Sequence, residues 1–185
     1  MRVRFSTCIG TPVVCDAVDE TLGQIARILI HPDTGRVEGF CIVNAPIDDG
    51  TPFLAADDIL RWGTQVHVRD PDAVYPLEER IRLAAFLDDP RTVLGQTIRT
   101  ESGRILGVCR DVQFNTDSMR SEWLFPRRWW RWGVPIALSD VVEITPKAII
   151  VRDPPVPVPV EEAPTLPVEI LPSIPEIGPV TQEPA

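Results

Sequence analysis

The sequence has no C-x-x-C pair, only two histidines (His31 and His67), and no glycine-rich phosphate loop of the G-x-G-x-x-G or P-loop kind. Its four cysteines, Cys8, Cys15, Cys41 and Cys109, stand far apart. A zinc centre draws four thiolate or imidazole ligands, commonly in close pairs. The spacing therefore predicts buried free thiols in a reducing compartment, with no metal site. Asp16-Ala17-Val18-Asp19-Glu20 lacks the alternating ligands and central glycine of a calcium loop. No stretch approaches the ~20 apolar residues that span a bilayer. Arg2 and Arg4 are followed by Pro12 and Asp16, which interrupt any signal-peptide core. The expected location is cytoplasmic, with peripheral attachment to a membrane left open.

Nucleophile chemistry is equally poorly supplied. Serines are few, and neither histidine adjoins a serine or cysteine. Carboxylates are paired at Asp48-Asp49, Asp57-Asp58 and Asp88-Asp89. General acid–base work on a glycoside needs two carboxyls facing each other across a cleft, whereas neighbours on a strand point to opposite faces. These pairs read as solvated loops or caps. No catalytic residue, cofactor or small-molecule substrate is expected, and the chain is not expected to be an enzyme.

What is present is an ordinary globular composition, unevenly distributed. The 185 residues are 44% hydrophobic and 24% charged, with aromatics at only 6%. Ten of the 20 prolines lie from Pro154 onward. The net charge is −9, and the segment from Asp153 to the end holds six acidic residues and no basic one. The body is thus close to neutral, unlike a general nucleic-acid binder, which carries a basic face.

The strongest signal is self-similarity. Leu22-Gly23-Gln24-Ile25 opens a strand-like run to Ile30, and Leu106-Gly107-Val108-Cys109 opens another to Phe114. Gly10-Thr11-Pro12-Val13 precedes the first as Gly95-Gln96-Thr97-Ile98 precedes the second. Asp58-Ile59-Leu60 is followed by Val66-His67-Val68-Arg69-Asp70-Pro71. Asp140-Val141-Val142 is followed by Ile149-Ile150-Val151-Arg152-Asp153-Pro154. The landmarks keep their order in both halves. Each unit is ~60 residues, small for an independent domain, so the two are expected to gain stability by packing together.

Within a unit the period is that of strands. Val37, Gly39, Cys41 and Val43 alternate with Glu38, Phe40, Ile42 and Asn44, and Ala26, Ile28 and Ile30 alternate one strand earlier. His31-Pro32-Asp33-Thr34-Gly35-Arg36 between them is a hairpin turn, with Gly35 supplying a positive φ. Phe53 to Leu60 reads as a short strand and one helical turn, and Gln65 to Arg69 as a closing strand. One helix is expected over Pro76 to Leu87. Proline suits a first turn, Glu78 and Glu79 suit its dipole, and Leu77, Ile81, Ala84 and Ala85 form an apolar stripe.

These residues resemble the PRC-barrel family, the small β-barrel of the photosynthetic reaction-centre H subunit and of the C-terminal half of the ribosome maturation factor. The resemblance rests on Leu22-Gly23-Gln24-Ile25, Asp33-Thr34-Gly35-Arg36-Val37 and Phe53 to Leu60 before Val66 to Val68. In the second copy it rests on Gly103-Arg104-Ile105-Leu106-Gly107-Val108 and Ala137-Leu138-Ser139-Asp140-Val141 before Ile149 to Val151. It covers about residues 8–71 and 94–153. The second copy departs at its hairpin, Asn115-Thr116-Asp117-Ser118-Met119, which has no glycine. The resemblance implies a mainly β fold: two small tandem PRC-like barrels joined by a short helix, with a disordered proline-rich acidic tail. The expected divisions are a first repeat over 1–71, a helical connector over 72–93, a second repeat over 94–153 and the tail over 154–185. It also implies an assembly or interaction role without a shared catalytic constellation, and fold analogy alone does not choose the partner.

One segment stands out within the second repeat. Trp123-Leu124-Phe125-Pro126-Arg127-Arg128-Trp129-Trp130-Arg131-Trp132-Gly133 holds four of the five tryptophans and three arginines. The first repeat has the acidic loop Asn44-Ala45-Pro46-Ile47-Asp48-Asp49-Gly50 in its place. Phe125, Arg127, Arg128, Trp129, Trp130, Arg131 and Trp132 are the candidate contact residues of a non-catalytic scaffold. Indole and guanidinium dominate protein hot spots, which points to a protein partner. The same groups suit an anionic membrane surface or stacked single-stranded RNA, as in a ribosome-associated factor. A structural role, capping the barrel with arginines stacked on rings, competes with all three. The tail fits polyproline II and contains P-x-x-P spacings at Pro164 to Pro167 and Pro172 to Pro175. It reads as an extended acidic spacer.

Overall fold

A computed structural model describes residues 1–47, 49–80, 83 and 89–154. Met1–Asp153 forms one compact unit, and of Pro154–Ala185 only Pro154 is described. The first unit is mainly β. Strand β1 (Arg2–Arg4) and a single turn α1 (Phe5–Cys8) lead into β2 (Pro12–Cys15), β3 (Glu20–Ile30), β4 (Val37–Val43), β5 (Pro52–Ala55), β6 (Ile59–Trp62), β7 (Val66–Val68) and β8 (Val74–Pro76). After the connecting segment come β9 (Thr97–Thr100), β10 (Ile105–Asn115), β11 (Arg120–Arg128), β12 (Arg131–Trp132), β13 (Ile136–Ala137), β14 (Val141–Ile144) and β15 (Ala148–Val151).

The two halves build sheets of one plan. The first runs β6-β7-β2-β3-β4-β5-β8, and the second runs β14-β15-β9-β10-β11 with β13 on the far side of β11. In each, one parallel pair, β2 with β7 or β9 with β15, sits among antiparallel ones. A 3₁₀ turn, Ala56–Asp58 or Leu138–Asp140, precedes β6 or β14. The hydrogen bonds also correspond. Gly10 N donates to Ile25 O at 2.8 Å and Ile25 N to Thr11 O at 3.0 Å, while Gly95 N donates to Cys109 O and Cys109 N to Gln96 O, both at 2.8 Å.

The hairpin without a glycine keeps the geometry of the one that has it. Gly35 takes φ 66° before β4, and Met119 takes φ 48° before β11. Asn115 Oδ1 accepts from the amides of Asp117 and Ser118 at 2.8 and 3.3 Å. This side-chain turn holds the backbone where glycine alone would bend freely. The two hairpins then meet. Val37 N donates to Met119 O at 2.7 Å, and Ser121 N to Gly35 O at 2.9 Å, so each hairpin gives the other the equivalent bond. Arg36 and Arg120 face each other in this short antiparallel bridge.

Behind the bridge the sheets share one core. Phe40 of β4 and Phe114 of β10 are fully buried, with ring centroids 5.9 Å apart. Trp62 of β6 packs on both, at 5.2 Å from Phe40 and 5.6 Å from Phe114. A smaller cluster of Cys41, Phe53 and Leu77 lies on the other face of β4. The alternation read along β4 is therefore blurred, because Phe40 and Cys41 are both buried on opposite faces. In β3 the alternation of Ala26, Ile28 and Ile30 misses the fully buried Ile25, since a bulge between Ile25 and Arg27 resets the phase.

Two features differ from the sequence reading. Pro76 ends strand β8, paired with Pro52, and Leu77–Glu79 is a 3₁₀ turn where the expected helix would begin. Residues 81, 82 and 84–87 of that helix lie outside the described residues, as does the tail beyond Pro154. The chain's first strand also joins the second sheet: β1 pairs with Gln113–Asn115 of β10, alongside β9.

Candidate functional site

The tryptophan–arginine segment forms strand β11, a two-residue turn and β12. Arg127 pairs with Trp132 and Arg128 with Arg131, which leaves Trp129 and Trp130 alone at the tip. Gly133 N closes the hairpin on Pro126 O at 2.9 Å. Two-residue hairpins favour φ > 0 at the first loop position, where Gly, Asn or Asp usually sits. Here Trp129 holds φ 58°. An indole in that region is strained by about 1–3 kcal/mol, and such strain tends to accompany function. In the first sheet the residue after β4 with the same backbone, φ 57°, is Asn44, a residue that tolerates it.

The base of the hairpin is fixed by Gly107 of β10. A Cβ there would lie 2.9 Å from Arg127 O, so only glycine lets β11 approach this closely. Below it the strand is solid: Leu124 is fully buried and Phe125 is 9% exposed. Arg4 of β1 lays its guanidinium 3.6 Å above the Phe125 ring and 5.6 Å from that of Trp132. Arg4 is itself held near Asp111, 3.7 Å from its Nε.

Above the base the rings face solvent. Trp129 is 79% exposed, Trp130 73%, Trp132 52% and the following Val134 82%. Trp129 and Trp130 pack edge to face with centroids 5.8 Å apart. Together with Arg128, Arg131 and Gly133 the three indoles line an open groove of about 470 Å³. Arg127 sits 5.5 Å from the Trp132 ring. Among the described residues no ion pair involves Arg127, Arg128 or Arg131. The candidate residues are thus brought together, with one division among them. Trp129, Trp130, Trp132 and the three arginines form the surface, and Phe125 is its floor beneath Arg4.

Other reactive groups are engaged elsewhere. Burial pushes the Cys8 thiol up to about 11 and the Cys109 thiol up to about 12, and it raises Cys41 as well. None of the three is a thiolate at neutral pH. Asp57 is held by Arg36 at 2.6 and 2.8 Å, and Asp89 by Arg91 at 2.8 Å. Among the described residues no group of three His, Cys, Asp or Glu side chains could hold a metal ion. His67 Nδ1 lies 2.6 Å from Asp16, a pairing that no local sequence signal reveals because it depends on the parallel β2–β7 register.

Two groups that complete the site also escape sequence reading. Arg4 lies far from the hairpin in the chain and reaches it only through the β1–β10 pairing. Val134 adds apolar exposure just beyond the aromatic run. Compared with known families and curated proteins, the chain matches no family model and no curated protein. No helix among the described residues is long and apolar enough to cross a membrane.

Proposed function

We propose that the chain is a non-catalytic interaction module: two tandem PRC-barrel-like units that present the Trp129–Trp130 hairpin to a macromolecular surface. The common strand order and the paired hydrogen bonds of the two sheets support the tandem reading. One observation carries the functional reading. Three indoles are held more than half exposed at a strained turn and on the strand that follows it, beside three arginines that form no ion pair among the described residues. Leaving that much aromatic area in water costs free energy that contact with a partner would recover. The groove is open and shallow, which fits a surface better than an enclosed small molecule.

Affinity purification of the full chain and of Trp129→Ala/Trp130→Ala from the same cells, membrane and soluble fractions together, tests this. The variant should keep its melting temperature, because both side chains lie outside the core. Its association with cellular partners should fall by about tenfold or more, as for hot-spot residues. Equal association by both proteins would remove the hairpin from the function.

A further inference from the structure

Resting on the reading of the hairpin as the contact surface, we infer that its partner is an anionic lipid surface, with the Trp129–Trp130 tip seated among the headgroups. Three observations point this way. First, a protein hot spot places its ring in a complementary desolvated pocket, whereas Trp129 and Trp130 at the turn, and Val134 beyond β12, are each more than two-thirds exposed to solvent. Indoles at the headgroup level of a bilayer need no preformed pocket, because the ring's apolar body and its polar N–H match the gradient from hydrocarbon to water.

Second, charge is segregated. From Trp123 to Ser139 the sequence has no acidic residue and three arginines, within a chain of net charge −9. A bilayer carrying negative lipids attracts this island and repels the rest of the protein, so the hairpin is the part that touches. Third, the apolar and cationic groups are ordered along the hairpin. The indoles of Trp129 and Trp130 occupy the turn, while Arg128 and Arg131 pair across the strands one step behind it and Arg127 pairs with Trp132 one step further. That order puts rings deepest and guanidinium groups at phosphate level, where each offers forked donors to phosphate oxygens.

Flotation of the full chain with vesicles of equimolar phosphatidylcholine and phosphatidylserine, and with vesicles of phosphatidylcholine alone, tests the inference. The protein should float with the anionic vesicles only, its tryptophan emission should move to shorter wavelength, and added salt should release it. Trp129→Ala/Trp130→Ala should abolish the emission shift. Arg127→Gln/Arg128→Gln/Arg131→Gln should weaken flotation by about tenfold or more. A wild-type chain that does not float, or variants that float as well as it does, would overturn the inference. Salt-sensitive binding to single-stranded RNA without flotation would overturn it in favour of a nucleic acid. Absent flotation together with a hairpin-dependent partner in the affinity purification would overturn it in favour of a protein, leaving the interaction module standing. Absence of both effects would remove both.

Discussion

Gly23 and Gly107 each stand near the start of a long strand, β3 and β10, with backbone that side chains rarely adopt, φ 136° and 144°. A Cβ on Gly23 would lie 2.5 Å from Ile42 Cγ2 and 2.7 Å from Val43 O, and one on Gly107 would lie 2.9 Å from Arg127 O. Alanine at either position combines backbone strain with overpacking, a loss of about 2–4 kcal/mol in urea denaturation. Gly103 supplies the comparison: it has φ 87° but nothing near its missing Cβ, so Gly103→Ala should cost only about 1 kcal/mol. Gly107→Ala no worse than Gly103→Ala would show that the close approach of β11 does not matter. The Leu-Gly pairs were legible in the sequence as markers of repetition. Their purpose was not, because the carbonyls that crowd them belong to a strand that becomes a neighbour only after the hairpin folds. The tryptophan cluster shows the same limit. Its composition singled it out, but that Phe125 would be buried depended on Arg4, which reaches that ring only through the β1–β10 pairing.

At the scale of elements, the unexpected piece is the N-terminal segment β1–α1, laid on the second sheet. Asp111, 1% exposed, is what ties it down. Its carboxylate accepts from Ser6 N at 3.0 Å, Ser6 Oγ at 2.6 Å and Val112 N at 2.9 Å. No sequence period could announce β1, since Arg2-Val3-Arg4 is too short to alternate and its partner strand comes far later in the chain. The longer strands were legible because a buried face enforces a period of two, and they blurred where bulges shift that period or where both faces are buried, as in β4. Asp111→Ala strands the Ser6 donors and releases Arg4 from its carboxylate. We expect a loss of about 2–4 kcal/mol. Amide exchange should rise first over Arg2–Cys8 and then at Phe125, which Arg4 covers. Unchanged protection of Arg2–Cys8 in the variant would mean that β-pairing alone holds the segment.

For the whole of Met1–Asp153, the decisive feature is that the main core is shared between the two sheets. Phe114 comes from the second sheet and packs against Phe40 and Trp62 of the first, and the exchanged hydrogen bonds of Val37 and Ser121 close the hairpins over them. A unit of ~60 residues is marginal alone, so the two sheets stabilise each other by burying aromatic area at their junction. Cooperativity follows from this arrangement. A break at the junction exposes both halves at once, and neither retains a separate unfolding transition. Phe114→Ala removes a fully buried ring from the centre, and truncations of this kind cost about 3–5 kcal/mol. The variant should unfold in urea in one step at a lower midpoint, with backbone circular dichroism and tryptophan emission moving together. Two separated transitions, one surviving near the wild-type midpoint, would show two independently stable halves. The hairpin would then be carried by the second sheet alone, which makes the same titration a test of whether the first sheet is needed to hold the indoles where they stand.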